Sequence, residues 1–281
     1  MDKLVFDIGM HHGRDTEFYL AKGFRVVAVE ANTALAEAAL KRFSEQVAAG
    51  RLAIEHKALS DQSGLVSFYV NDDKDDWSSL TEDFAARQGT HFRRIEVAGV
   101  TLGQLIERHG VPYYLKIDVE GADTLCLRQL SQTDARPAFV SFEAEVGHPE
   151  RLSEQMGLVE RMGYNRFQVI NQRLHKRTRP PNPPVEGDYC PRRFDGFCSG
   201  LFGMELPDCW LAPDGFHKRL DFLNRWNVNP GDHDDESCSR LSSKLRLVRA
   251  VLQMAVGLPM GWYDVHATTA GQISASGRAA C

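Results

Sequence analysis

Through the first 170 residues, short apolar runs alternate with segments of helical period, the pattern of parallel strands joined by crossover helices. Residues 4–9 form a continuous apolar run ended by a glycine, which predicts a first strand, and 15–22 predicts a short helix closed by Gly23. A second buried strand is expected at 25–30, then a helix from 34 to about 48 with Thr33 as its N-cap, then a third strand at 52–59. Residues 65–70 alternate behind the turn Asp61-Gln62-Ser63-Gly64, as an edge strand or hairpin does. The acidic stretch 71–90 predicts a long surface loop. A helix at 102–109 leads to a fourth strand at 113–119; a helix near 122–130, a fifth strand at 138–143, a helix near 151–162 and a strand at 165–170 follow.

Beyond that the texture changes. RTRPPNPPVEGDYCPRRF is a proline-rich connection that excludes regular helix or central strand. GLFGMEL, 200–206, predicts the last strand, which makes 171–199 a long excursion between two sheet strands. Helices are expected at 215–226 and 237–256, the latter basic and amphipathic, before a frayed tail of a dozen small and polar residues. The expected organisation is a sheet domain over 1–210 and a helical extension over 211–281.

Composition narrows the partners. A formal net charge of −5 supplies no overall positive field to gather nucleic acid or anionic lipid. No apolar stretch approaches the roughly 20 residues that span a bilayer. The opening MDK-LVFDIG is too short for a secretory apolar region, so the expected location is the cytoplasm. The six cysteines (126, 190, 198, 209, 238 and 281) include no Cys-x-x-Cys pair and are expected as reduced thiols. Cys190, Cys198 and Cys209 fit no compact zinc module.

The chemistry begins at Asp7-Ile8-Gly9-Met10-His11-His12-Gly13. A strand, a glycine turn and a helix bring backbone N–H groups close to a nucleotide-like ligand. Two glycines stand four apart, where the dinucleotide fingerprint needs three, and Met10 follows Gly9 where a pyrophosphate needs close approach. Asp7 at the mouth would repel a pyrophosphate and favour a ligand bearing an ammonium and a sulfonium, which describes S-adenosyl-L-methionine. Met10, His11, Asp15 and Thr16 are the further candidate contacts of this turn. Glu30, 17 residues after Gly13, suits two ribose hydroxyls, with Ala31 and Asn32 beside it. Leu59, Ser60 and Asp61, after the third strand, are candidates for the adenine side.

VFDIGMHHGRDT (5–16), VVAVEAN (26–32), ALSDQSG (58–64) and YLKIDVEGAD (114–123) together resemble the FkbM-type methyltransferases. GWYDVHAT (261–268) is similar to a C-terminal segment of one branch of them. The resemblance implies an α/β, Rossmann-like class I methyltransferase fold with a mainly parallel seven-stranded sheet. It also implies S-adenosyl-L-methionine as cofactor and a hydroxyl acceptor on a sugar, glycan or secondary metabolite. Family turns often carry a small residue and Asn where this chain has Met10, His11 and His12.

Methyl transfer to an alcohol needs alignment and a proton acceptor. Asp118, Glu120 and Glu143, at the ends of the fourth and fifth strands, are the candidate catalytic residues, with Asp118 nearest the acceptor and Glu120 or Glu143 taking the proton or anchoring it. Asp118, Glu143 and His148 show no local spacing that demands a metal, and none is expected. Arg192 and Arg193 offer a hold on an anionic or sugar-like acceptor, and a homo-oligomer is compatible with the basic helix at 237–256. The competing functions are an NAD-dependent oxidoreductase, disfavoured by the missing third glycine and by Asp7, and a non-catalytic Rossmann-like binding or scaffold protein.

Overall fold

The computed structural model describes residues 3–207, 209–226 and 261–275. Its main sheet has seven strands: β1 (Leu4–Ile8), β2 (Arg25–Glu30), β3 (Leu52–His56), β7 (Tyr114–Ile117), β8 (Phe139–Glu143), β9 (Arg166–Asn171) and β10 (Tyr263–Thr268). Their order is β3-β2-β1-β7-β8-β10-β9. All neighbours are parallel except β10, which runs antiparallel between β8 and β9. The near-continuous apolar runs of β1 and β2 arise because helices cover both faces. Phe6, Ile8, Val27 and Val29 face one core, with helices α5 (Leu102–His109), α6 (Asp123–Ser131), α7 (Pro149–Arg161) and α8 (Pro213–Trp226). Val5, Val26 and Ala28 face the other, with α1 (Arg14–Ala21), α2 (Thr33–Arg42) and residues 194–210.

Several boundaries move. Asn32, not Thr33, caps α2 by accepting the backbone N–H of Ala34 at 3.1 Å. Phe43 breaks the expected long helix, and α3 (Ser44–Ala48) follows it. The expected third strand divides: β3 stays in the main sheet, and β4 (Ala58–Leu59) joins a second sheet of order β4-β6-β5. There, β5 (Gly64–Asn71) pairs with β6 (Phe92–Val100), a strand not anticipated because Arg93, Arg94 and Glu96 face water.

The largest correction concerns the last strand. GLFGMEL does not enter the sheet. Gly203 takes a φ of +57°, and the Met204 N–H goes to the Glu186 carboxylate rather than to a neighbouring strand. Glu205 turns inward to a fully buried ion pair with Lys22, 3.0 Å away. The sheet position falls to Tyr263–Thr268, so the excursion after β9 runs over residues 172–262. Helix α8 forms where expected, α9 (Ala270–Ala275) occupies part of the expected frayed tail, and the helix expected at 237–256 lies outside the described residues. Cys126, Cys190 and Cys198 are free thiols, whereas Cys209 is disulfide-bonded, against the expectation of reduced thiols throughout. Among the described residues no helix is long and apolar enough to cross a membrane.

Candidate active site at the carboxyl ends of the strands

A cavity of about 780 Å³ opens at the carboxyl ends of β1, β2, β7 and β8, within the range of small-molecule sites. Its floor is the turn after β1. Gly9 has a φ of +87°, and a Cβ there would fall 1.8 Å from the Asp118 carbonyl oxygen, so only glycine lets the two strand ends meet. Gly13 has a φ of +69° against the Phe43 ring. His11, a non-glycine residue with a φ of +52°, is held by its backbone N–H donating to Glu30 Oε2 at 2.7 Å.

Glu30 ends β2 and lines the cavity. Its other oxygen accepts the Asn32 N–H at 2.8 Å. Each oxygen keeps a second acceptor position for a ligand hydroxyl. Burial pushes the Glu30 carboxyl up to about 7, against the backbone donors of Asn32 and His11. Beside it Ala31, Leu35, Ala58, Leu59 and Phe68 make an apolar wall fit for a flat base.

Lys116 is the residue that organises the site from below. It is buried in β7, and its ammonium lies 3.1 Å from Asp7 Oδ1, 3.1 Å from Asp118 Oδ2 and 3.6 Å from Asp15 Oδ2. Burial alone would lower its pKa, but the carboxylates of Asp118, Asp7 and Asp15 outweigh that and hold it well above the ordinary lysine value. Asp15 accepts the Ser199 N–H, and burial pushes its carboxyl up to about 6 against the pull of Lys116.

Asp118, Glu120, Glu143 and Asp264 line the cavity together. Register explains the last: β10 sets Asp264 opposite Glu143. Burial pushes Glu120 up to about 7, with Arg87 opposing. Burial, then the charges of Glu120 and Asp123, push Glu143 well above the carboxylate range. A folded Glu143 therefore keeps a proton that the unfolded chain gives up near 4.5, so this group lowers stability as pH rises past that value. Glu143→Gln, which imitates the protonated form, should be more stable than the wild type at about pH 8, with the difference vanishing toward pH 4. Urea midpoints at the two pH values check this; a variant less stable at the higher pH refutes it.

The stretch expected as a surface loop forms the roof. Asn71 is buried and its amide donates to the Ala85 carbonyl (2.8 Å) and Thr90 Oγ1 (2.6 Å) while its oxygen caps Asp73 and Lys74. Helix α4 (Glu82–Ala85) lies within it. Arg87 pairs with Glu120 and covers the Trp77 ring, and Ser79 Oγ donates to the Glu120 carbonyl at 2.7 Å. Asp75, Trp77 and Arg87 thereby line the cavity.

Of the expected cofactor contacts, Gly9, Met10, His11, Asp15, Glu30, Ala31 and Leu59 line the cavity. Asp7 does not: it is fully buried, accepts the Thr16 hydroxyl at 2.6 Å and is neutralised by Lys116, so it acts beneath the turn rather than at its mouth. Thr16 and Gly13 support the turn, and Asn32 serves as the α2 cap and Glu30 partner. Ser60 is buried with its hydroxyl on the Gln62 carbonyl, and Asp61 points to water on the turn, so neither reaches the cavity. Arg192 is taken up by Glu17, and Phe194, Phe202 and Trp210 belong to the core, whereas Phe197 reaches the cavity. Lys116, Arg87, Trp77 and Asp264 were not anticipated. The one signal for Lys116 was a charge inside the apolar run YYLKIDV, and GWYDVHAT carried Asp264.

The strand order with one antiparallel strand, and a cavity over the β1 turn and the β2 acid, define a Rossmann-like class I methyltransferase fold. The chain belongs to the FkbM methyltransferases: the family model described as Methyltransferase FkbM domain matches residues 7–176. Among solved structures, an FkbM methyltransferase from Methylobacillus flagellatus KT is similar over 60% of this chain and 39% of that one, at 15% identity and a TM-score of 0.39. This chain thus spans about two fifths of that protein's length. A precorrin-6y C5,15-methyltransferase from Geobacter metallireducens GS-15 matches over 60% of this chain and 67% of its own, at 12% identity and a TM-score of 0.35. The O-methyltransferase TomG from Streptomyces achromogenes, solved with S-adenosylmethionine, matches over 60% and 66%, at 14% identity and a TM-score of 0.34. No curated protein matches the chain.

Proposed function

We propose that this methyltransferase uses S-adenosyl-L-methionine to methylate a hydroxyl oxygen of a sugar-like or secondary-metabolite acceptor. The observation that carries the reading is Glu30, lining the cavity at the end of β2 with both oxygens steered by backbone donors and both still open to a ribose. Asp15, Glu30, Asp118 and Glu120 line the cavity with carboxylates that suit a sulfonium and an ammonium and oppose a pyrophosphate. When bound, the cofactor supplies an electrophilic methyl group on a sulfonium leaving group.

The chain's own residues do the rest. Asp118 is half exposed, and its Oδ2 is fixed by Lys116, which leaves Oδ1 to orient an acceptor hydroxyl. Glu120, near 7, is matched to taking the hydroxyl proton at neutral pH. Glu143 holds its own proton and offers a donor. Arg87 and Arg173 add donors, and Trp77 and Trp262 add flat surfaces at the mouth, a set suited to a polyhydroxylated ring.

Calorimetry with S-adenosylmethionine and with NAD tests the cofactor. Binding of the first alone is expected, and Glu30→Ala should weaken it about 30-fold, roughly 2 kcal/mol for lost bonds to a charged acceptor. Tight NAD binding without S-adenosylmethionine binding overturns the reading. A panel of glycosides and amines with methyl-labelled cofactor then tests the acceptor: label on oxygen supports it, and label on nitrogen alone replaces it.

A further inference from the structure

Three side chains at the edge of the cavity are not used by the proton transfer proposed above. His11 and His12 project from the turn after β1, and Asp75 comes from the roof, 64 residues from His11. The carboxylate of Asp75 meets one imidazole with each oxygen. Oδ1 is 3.1 Å from His11 Nε2, and Oδ2 is 3.0 Å from His12 Nε2. The rings lie 4.1 Å apart between centroids, and one donor atom from each of the three residues falls within 4.8 Å of the others.

We propose that His11, His12 and Asp75 form a site for a divalent transition ion of the zinc class, which fastens the roof to the turn after β1. Two imidazole nitrogens and one carboxylate are the donor set of zinc, cobalt and iron(II); magnesium and calcium prefer oxygen alone. A tetrahedral ion with bonds near 2.0–2.2 Å holds its donors about 3.3 Å apart. The two imidazole-to-carboxylate separations differ from that by a few tenths of an ångström, and the three donor atoms lie within 4.8 Å of one another, so side-chain rotations bring them to a common ion. Binding takes both Nε2 atoms as lone-pair donors, so each neutral imidazole carries its proton on Nδ1 and the hydrogen bonds to Asp75 give way to bonds to the ion.

The ligands stand on built supports. His11 is set by its backbone bond to Glu30 and by its left-handed φ of +52°. Asp75 opens a short 3-10 turn, with its carbonyl accepting the Ser78 hydroxyl at 2.8 Å, next to Lys74, whose N–H is capped by Asn71. His11 and Asp75 also line the cavity, so an ion held between them would sit at its edge, within reach of water or a ligand.

The test needs no cofactor, so it fails or succeeds apart from the methyl-transfer reading. Full-length protein is stripped with chelator, then titrated with zinc chloride by calorimetry and with cobalt chloride by visible absorption. One tight equivalent is expected, with a cobalt spectrum of low coordination number. Loss of an outer-shell partner costs 10–100-fold in affinity, so loss of a ligand in H12Q or D75A should cost about 100-fold or more. His12 is exposed, so H12Q leaves the core intact even if D75A does not fold. Amide exchange over 72–90 should slow with zinc in the wild type and not in H12Q. No zinc or cobalt binding by the wild type, or equal binding by the wild type and H12Q, overturns the site. Binding with unchanged exchange over 72–90 overturns the fastening role.

Discussion

Lys116→Met should destabilise the protein by about 3–5 kcal/mol, the cost of removing one partner from a buried ion network. The methionine fills the volume but leaves Asp7, Asp15 and Asp118 facing one another without the ammonium that holds them at 3.1, 3.6 and 3.1 Å. It also frees the Gly9 carbonyl, 3.3 Å from the ammonium, so the turn after β1 loses its anchor. The network's effect on pH follows from its two kinds of group. The raised pKa of Lys116 means its stabilisation is complete below the ordinary lysine value and is lost only above it, so the wild type keeps it across the physiological range. Asp15, already raised to about 6 against the pull of Lys116, takes up its proton more readily once that ammonium is gone, so the gap to the wild type should narrow as pH falls below about 6. Urea unfolding followed by circular dichroism at neutral and mildly acidic pH measures both effects. A loss below 1 kcal/mol at neutral pH would show that the carboxylates had found other partners.

Glu120→Gln should lower kcat about a thousandfold with little change in KM, within the usual range for removing a general base. In the wild type, activity should rise with pH through about 7 as Glu120 ionises, then level off. The variant should be slow and without that rising limb. Glu120 also pairs with Arg87, so a purely structural role has to be separated from a chemical one. Arg87→Met serves that purpose: it loosens the roof but keeps the carboxylate, and it should retain the rising limb. Equal losses in both variants with the limb preserved in Glu120→Gln would reduce Glu120 to a positioning residue.

Much of this site was legible before any contact was known. The runs LVFDI, RVVAVE and YYLKIDV are mostly apolar because strands covered on both faces have no solvent side. Gly9, Gly13 and Glu30 were legible because each follows from local geometry at a strand end. The roof was not: NDDKDDW has the composition of a solvated loop, and its ordering comes from one buried asparagine and from Arg87 meeting Glu120. GLFGMEL looked like a strand because it is apolar, but its apolar side chains pack beneath the sheet, with Phe202 stacked on Tyr114 at 4.8 Å.

Asp7 marks the boundary between the two kinds of knowledge. By itself the sequence determined a doubly covered sheet, a glycine turn after β1 and an acid at the end of β2, because periodicity, glycine conformation and strand ends are local properties of the chain. Which carboxylates face the cavity was decided only by tertiary structure. Asp7 is cancelled by a lysine 109 residues away, while Asp264 arrives on the last strand through its register with Glu143. A charge acts through what surrounds it in space, and the chain's order does not state those neighbours.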